Sequence, residues 1–300
     1  MGANLGRFIS MIEGFRRETL DGPKGPISYQ IAGSGTPLIL LHGFPQNATM
    51  WHGIAPKLAN DYLVVCPDLR GYGFSAKPTG VENYSFREMG TDILFLMEHL
   101  QIARAHLIGH DRGARVSHRL ALDHEDRFKS LTLMDIVPMH TLFSDLTREV
   151  ALGYYHWLFL AQMEPLPDTM IRHDPDSYFE HCLKAWGTGS EPPFDPTALN
   201  AYRATWRKPE TIRAMCDDYR AGATLDFDLD ASDLDKRVSL PSLVLYAQGG
   251  MMDKSYDMQA VWANKLARFA AKPMPGGHFF PDHYPDETLA EIRSFLDQQP

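Results

Sequence analysis

The stretch Ala105-His106-Leu107-Ile108-Gly109-His110-Asp111-Arg112-Gly113-Ala114-Arg115-Val116 decides how the rest of the chain is read. An apolar run of strand type, residues 105–108, passes through Gly109 to Asp111 and then into a helical pattern over 112–124. A nucleophile with a small residue two places before and after it, on a sharp strand-to-helix turn, is the layout of a nucleophile elbow. The small residues are needed because the two backbones approach closely there. Serine is the usual nucleophile at such a turn, and here the position holds Asp111. A carboxylate is ionised near neutral pH and needs no base to activate it. It can displace a leaving group from a saturated carbon and become esterified in the process. The stretch therefore points to hydrolysis at an alkyl carbon, not to attack on a peptide or ester carbonyl. An aspartate here could instead cap the helix, but a cap does not require small residues on both sides.

On either side of this turn, short apolar runs alternate with helical segments. Runs at 27–31, 38–41 and 62–66 precede a helical pattern over 86–100, and a further run at 131–134 follows the elbow helix. After a break the alternation resumes with 243–246, a helix near 256–266, a weak strand near 268–272 and a closing helix over 287–296. Such alternation predicts an α/β fold whose mostly parallel sheet carries helices on both faces. Residues 139–228 break it, being aromatic-rich, punctuated by prolines and mostly helical in period. They read as an all-helical cap inserted between sheet strands, above the carboxyl ends where open parallel sheets bind ligands. The expected division is a core of 1–138 and 229–300 and a cap of 139–228.

The 300 residues are 44% hydrophobic and 22% charged, a composition that suits a packed globular protein. A net charge of −9 argues against nucleic acid or an anionic membrane as partner. Cys66, Cys182 and Cys216, odd in number and widely spaced, give neither a disulfide framework nor a zinc pattern. Residues 1–14 lack the plan of a secretory leader, and no apolar run approaches a membrane span. A cytoplasmic protein is expected. No metal or other cofactor is called for, since the histidines form no ligand pattern.

Asp111 needs a partner to activate water against its ester. His278, in Gly276-Gly277-His278-Phe279-Phe280 after the last strand, is the expected base. Two acids compete to orient it. Asp135 ends the strand after the elbow helix, and Asp253 follows Gly249-Gly250-Met251-Met252 after the strand at 243–246. Asp135 is preferred because it stands directly at a strand end, and either would fix the imidazole tautomer. The oxyanion donors are expected to be the backbone amides of Arg112 and of Phe44, in the loop after the strand at 38–41. Arg112 and Arg115 lie at a helix N-terminus, where the dipole disfavours cations. A cost accepted at that place suggests an anion is held there, and guanidinium suits a carboxylate.

These residues resemble the fluoroacetate dehalogenases, the haloacetate branch of the α/β-hydrolases, over roughly residues 33–296. The order nucleophile, acid, histidine is theirs. His42-Gly43-Phe44-Pro45-Gln46-Asn47 is similar to the family's oxyanion loop. Gly109-His110-Asp111-Arg112-Gly113 is similar to its nucleophile motif, and Gly276 to Phe280 to its base motif. In the cap, Tyr154-Tyr155-His156-Trp157 and the segment from Cys216 to Gly222 resemble its halide-pocket segments. The resemblance implies that His156, Trp157 and Tyr219 bind the leaving halide, that Asp135 is the orienting acid, and that the protein is a homodimer. It further implies a small haloacid substrate, with fluoroacetate favoured, converted to glycolate and halide without a cofactor. Arg112 matters for that choice, because related haloalkane dehalogenases and epoxide hydrolases usually place tryptophan after the nucleophile. Two rival readings accompany it. An epoxide hydrolase would need cap acid donors, which Tyr154, Tyr155 and Tyr219 could supply. A catalytically silent small-molecule receptor of the same fold would not need the Asp111–His278 pair.

Overall fold

The computed structural model describes residues 12–299; of the leader stretch read above, residues 1–11 lie outside the described residues. Among these, eight strands form one sheet: β1 (Arg16–Gly22), β2 (Gly25–Ala32), β3 (Thr36–Leu41), β4 (Tyr62–Pro67), β5 (Ala105–His110), β6 (Phe128–Met134), β7 (Val238–Ala247) and β8 (Leu266–Met274). Their order is β1-β2-β4-β3-β5-β6-β7-β8. β2 pairs antiparallel with both β1 and β4, and every later pairing is parallel. The central strand β5 is buried at every position, which is why Ala105 to Ile108 reads as a continuous apolar run rather than an alternating one.

β1 went unread in the sequence. Its residues, Arg-Arg-Glu-Thr-Leu-Asp-Gly, are exposed or half-buried throughout and lie at the sheet edge, so no apolar alternation marks them. β8 is longer than the weak run at 268–272, and the helix before it is confined to Met258–Ala263, because Leu266 already belongs to the strand. The Phe86–His99 helix starts on a serine N-cap. The Ser85 side chain accepts from the Glu88 amide, and Phe86, Met89, Ile93, Leu96 and Met97 face the core.

Between β6 and β7 the described chain is helical from Met139–Ser144 to Phe227–Ser232. The prolines that punctuate this region open helices rather than break them. Pro175, Pro196 and Pro209 each stand in a first turn. Asp174 caps one, accepting from the Ser177 amide at 3.1 Å, and Asp195 another, accepting from Thr197 and Ala198 at 2.8 and 3.0 Å. The helices sit above the carboxyl ends of β3, β5, β6 and β7. Pro209–Ala221 reaches down to the loop after β4, where Tyr72 donates to Asp218 at 2.6 Å. Among the described residues no helix is long and apolar enough to cross a membrane.

Candidate active site

The β5 strand delivers Asp111 in a left-handed backbone conformation, φ 48°, where the chain reverses into the Arg112–Asp123 helix. Non-glycine residues rarely adopt it, and such positions cluster at functional sites. The turn closes only because its flanks are small. A Cβ on Gly113 would run into the carbonyl oxygens of Leu41 and His42, and one on Gly109 would strike the Gly113 carbonyl. The Asp111 side chain makes no capping bond to its own helix. Its Oδ1 instead accepts from the Phe44 amide at 2.8 Å. Arg112 opens the helix, so its amide is among those without an intrahelical acceptor.

Asp135, at the end of β6, is also left-handed, φ 53°. Its Oδ1 accepts from the Ala247 amide at 2.9 Å, and its Oδ2 meets His278 Nδ1 at 2.6 Å. With Nδ1 donating there, Nε2 faces Asp111 Oδ2 at 3.8 Å. The base loop is fixed twice more. His110 Nε2 donates to the His278 carbonyl at 2.8 Å, and the His278 amide donates to the carbonyl of Trp186 in the cap at 2.9 Å. Asp253 stands elsewhere, accepting from the Gly249 amide at 2.8 Å. The geometry thus joins His278 to Asp135 and not to Asp253.

Burial on its own would raise the Asp111 carboxyl, but His278, His110, Arg112 and Arg115 more than offset this and hold it below its ordinary value. For His278, burial works against the charged form, yet Asp135 and Asp111 keep the imidazole above its ordinary range. Burial pulls His110 down to about 4, so it stays neutral and serves as a donor.

The two arginines are both buried but differently partnered. Arg112 donates through Nε to Asp218 Oδ2 at 2.8 Å and through Nη2 to Oδ1 of the same carboxylate. Burial opposes its charge, and Asp218 more than restores it. Arg115 makes no ion pair among the described residues. It donates through Nη1 to the Val137 carbonyl at 2.7 Å and lies over the Trp157 ring at 4.6 Å. Burial, followed by repulsion from Arg112, lowers it to about 10.

His156 and Trp157, on the Tyr155–Leu160 helix, and Tyr219, on Pro209–Ala221, come together over Phe44. Ring centroids are 5.5 Å apart for His156–Tyr219, 4.9 Å for Trp157–Tyr219 and 5.1 Å for Phe44–Tyr219. His156 Nδ1 and the Tyr219 hydroxyl are buried with no hydrogen-bond partner among the described residues. Burial keeps His156 neutral and the Tyr219 phenol protonated, so both can donate. Tyr154 lies edge-on to His278 at 6.4 Å, whereas Tyr155 is partly exposed and packs on His181. Tyr155 is therefore removed from the acid donors considered above.

Four residues of this site were not singled out in the sequence. Trp186 lies tilted 4.1 Å from His156 and edge-on 5.5 Å from His278. Asp218, Tyr72 and Gly222 surround Arg112. Asp218 and Gly222 stand inside the Cys216 to Gly222 segment, so their motif was in view although their contact with Arg112 was not. Trp186 and Tyr72 carried no signal of spacing. A cavity of about 280 Å³ between cap and core, bounded by Tyr154, Trp186, Met251, Lys254 and Gly277, lies against the Tyr154–Trp186 wall of His278.

Comparison with known proteins agrees with this architecture. The family model of the alpha/beta hydrolase fold matches residues 36–282. A fluoroacetate dehalogenase from a Burkholderia species is 49% identical over 289 residues, 95% of each chain. A soluble epoxide hydrolase from Corynebacterium sp. (strain C12) is 30% identical over 299 residues, 99% of each. A crystal structure of a putative alpha/beta hydrolase from Nostoc sp. PCC 7120 superposes with a TM-score of 0.91 at 42% identity, covering 95% of this chain and 98% of that one. The chain belongs to the alpha/beta hydrolase fold family and is a homologue of fluoroacetate dehalogenase.

Proposed function

We propose that the protein is a hydrolytic dehalogenase of haloacetates, with fluoroacetate as the favoured substrate. One observation carries the reading: Arg115, a buried guanidinium without an acid partner among the described residues, stands one helical turn from a carboxylate nucleophile. An unbalanced buried cation is costly, and a substrate carboxylate placed there would balance it. That orients the α-carbon toward Asp111. In the first step an Asp111 oxygen bonds to the α-carbon as the carbon–halogen bond breaks. Halide departs with the bonding pair toward His156, Trp157 and Tyr219. In the second, His278 takes a proton from water, which adds to the ester carbonyl, and the Phe44 and Arg112 amides hold the resulting oxyanion. Collapse returns the Asp111 carboxylate and releases glycolate, and the proton leaves from His278. No cofactor takes part.

Halide release from fluoroacetate, chloroacetate and bromoacetate, measured beside diol formation from styrene oxide, tests this. Turnover of the epoxide without halide release would replace the reading by its epoxide hydrolase rival, for which Tyr154 and Tyr219 are the acid donors left. Absence of any turnover would leave the small-molecule receptor.

The cytoplasm is the proposed compartment, supported by three buried cysteines that are all free. The proposed homodimer has support in the cap, where Leu152, Met163, Leu166 and Met170 expose large apolar side chains. Sedimentation velocity decides it.

A further inference from the structure

The guanidinium of Arg112 has five N–H groups, and Asp218 occupies three of them. Nε and Nη2 go to its carboxylate, and Nη2 also donates to its backbone carbonyl at 2.8 Å. Tyr72, from the loop after β4, donates to Asp218 Oδ2 at 2.6 Å and so fixes the carboxylate from the other side. Both side chains of the pair are wholly buried. The guanidinium is further wedged among rings, 4.5 Å from Tyr219, 4.6 Å from Phe86 and 5.1 Å from Trp157. Gly222 leaves it just enough room, since a Cβ there would sit 3.2 Å from Nη2. What remains is Nη1, buried and without a partner among the described residues.

Two adjacent buried arginines pose a problem that this arrangement solves. Left unbalanced, they would repel, and Arg115, lowered first by burial, is lowered further by Arg112. Were both balanced, an anion would gain little by entering.

We propose that Asp218, held by Tyr72, is the positioning residue for carboxylate recognition. It makes Arg112 a charge-balanced, directional donor through Nη1 and leaves Arg115 as the unbalanced cation, so that the site takes a substrate bearing a single carboxylate. The proposal rests on the haloacetate reading above for the identity of that substrate. Asp218 acts only through Arg112 and touches no reacting atom.

That last property gives the test. Glycolate, the product of the proposed reaction, is titrated into the full-length protein, with tryptophan fluorescence as the signal because Trp157 lies over both guanidinium groups. Asp218→Asn should weaken glycolate about tenfold, a coupling of the size contacting residues show, and Tyr72→Phe should weaken it less. In an Arg112→Gln background neither substitution should change the affinity further. Equal losses with and without the Arg112 guanidinium would mean that Asp218 serves packing alone, and would overturn the proposal while leaving the haloacetate reading intact. If Asp218→Asn does not fold by its melting curve, the Tyr72→Phe cycle decides in the same way. Failure of the parent protein to bind glycolate would overturn the proposal and the haloacetate reading together. Glycolate binding with the expected cycle, but no halide release, would overturn only the reaction.

Discussion

The Phe44 amide donates to Oδ1 of Asp111 at 2.8 Å, so one carboxylate oxygen of Asp111 already faces the expected oxyanion donor. The other, Oδ2, faces His278. The two oxygens are thereby assigned different tasks. On the proposed mechanism Oδ2 bonds to carbon, and Oδ1 becomes the ester carbonyl oxygen that water addition turns negative.

Isotope placement follows from that division. A single turnover in ¹⁸O-water should give unlabelled glycolate and a labelled Asp111, read by mass spectrometry of the peptide containing it. Label found directly in glycolate would show that water attacks the substrate without an ester.

Removal of the base should separate the two steps. His278→Ala should release about one halide per site and then stall, with an added mass on the Asp111 peptide, because an ionised carboxylate needs no activation. A folded variant that shows no burst would put His278 in the first step.

The orienting acid should matter through its bond to Nδ1. Asp135→Asn is expected to lower kcat about 10⁴-fold, the scale seen when the corresponding carboxylate of a Ser-His-Asp triad is lost. Asp253→Asn, which disturbs only a bond to the Gly249 amide, should cost little. Steady-state kinetics of the pair decides, and the reverse ranking would relocate the acid.

The pH dependence should differ between steps. His278 works as a base only when neutral, and its pKa is raised, chiefly by Asp135 and Asp111 against the opposing effect of burial. Ester decay should therefore rise with pH through the His278 pKa and level off above it. Esterification removes the charge of Asp111, so that limb should fall below the value titrated in the resting protein. Halide burst should stay flat over the same range, since Asp111 is held below its ordinary value and remains ionised. Rapid-quench measurement of both rates is the check, and coincident limbs would contradict the scheme.

Arginines and cap donors should be distinguishable by halide. Arg115→Lys keeps charge but loses the planar donor geometry, and should lower kcat/KM for fluoroacetate and chloroacetate alike. His156→Ala, Trp157→Phe and Tyr219→Phe remove the proposed donors to the departing halide, where loss of one such donor costs about 3 kcal/mol. They should harm fluoroacetate more, because fluoride is the poorer leaving group. Equal losses for both substrates in all three would make the cap trio a packing cluster.

How much of this was legible beforehand depended on whether the signal was local. The elbow was legible because its requirement for small residues falls within five consecutive positions. The strand ends that carry Asp135 and Phe44 were legible because buried parallel strands are apolar throughout. β1 was not, because an exposed edge strand need not be apolar anywhere. The partnership of Arg112 with Asp218 spans 106 residues and that of Tyr72 with Asp218 spans 146, and no spacing rule connects them. Trp186 was missed for a similar reason. Its hydrogen bond to the base loop runs through a backbone carbonyl, which any residue type would supply, and its ring contacts with His156 and His278 follow no spacing rule.

The lone charge on Arg115 also bears on endurance. If the proposed substrate carboxylate supplies the acid partner that Arg115 lacks, small carboxylates should act as thermal protectants. Saturation to a hundred times the dissociation constant adds about 2.7 kcal/mol of stability by mass action. Storage in acetate or glycolate should then lengthen the working life of the protein. Arg115→Gln, which leaves only the Arg112 donor for the anion, should gain much less melting temperature from it than the parent protein does.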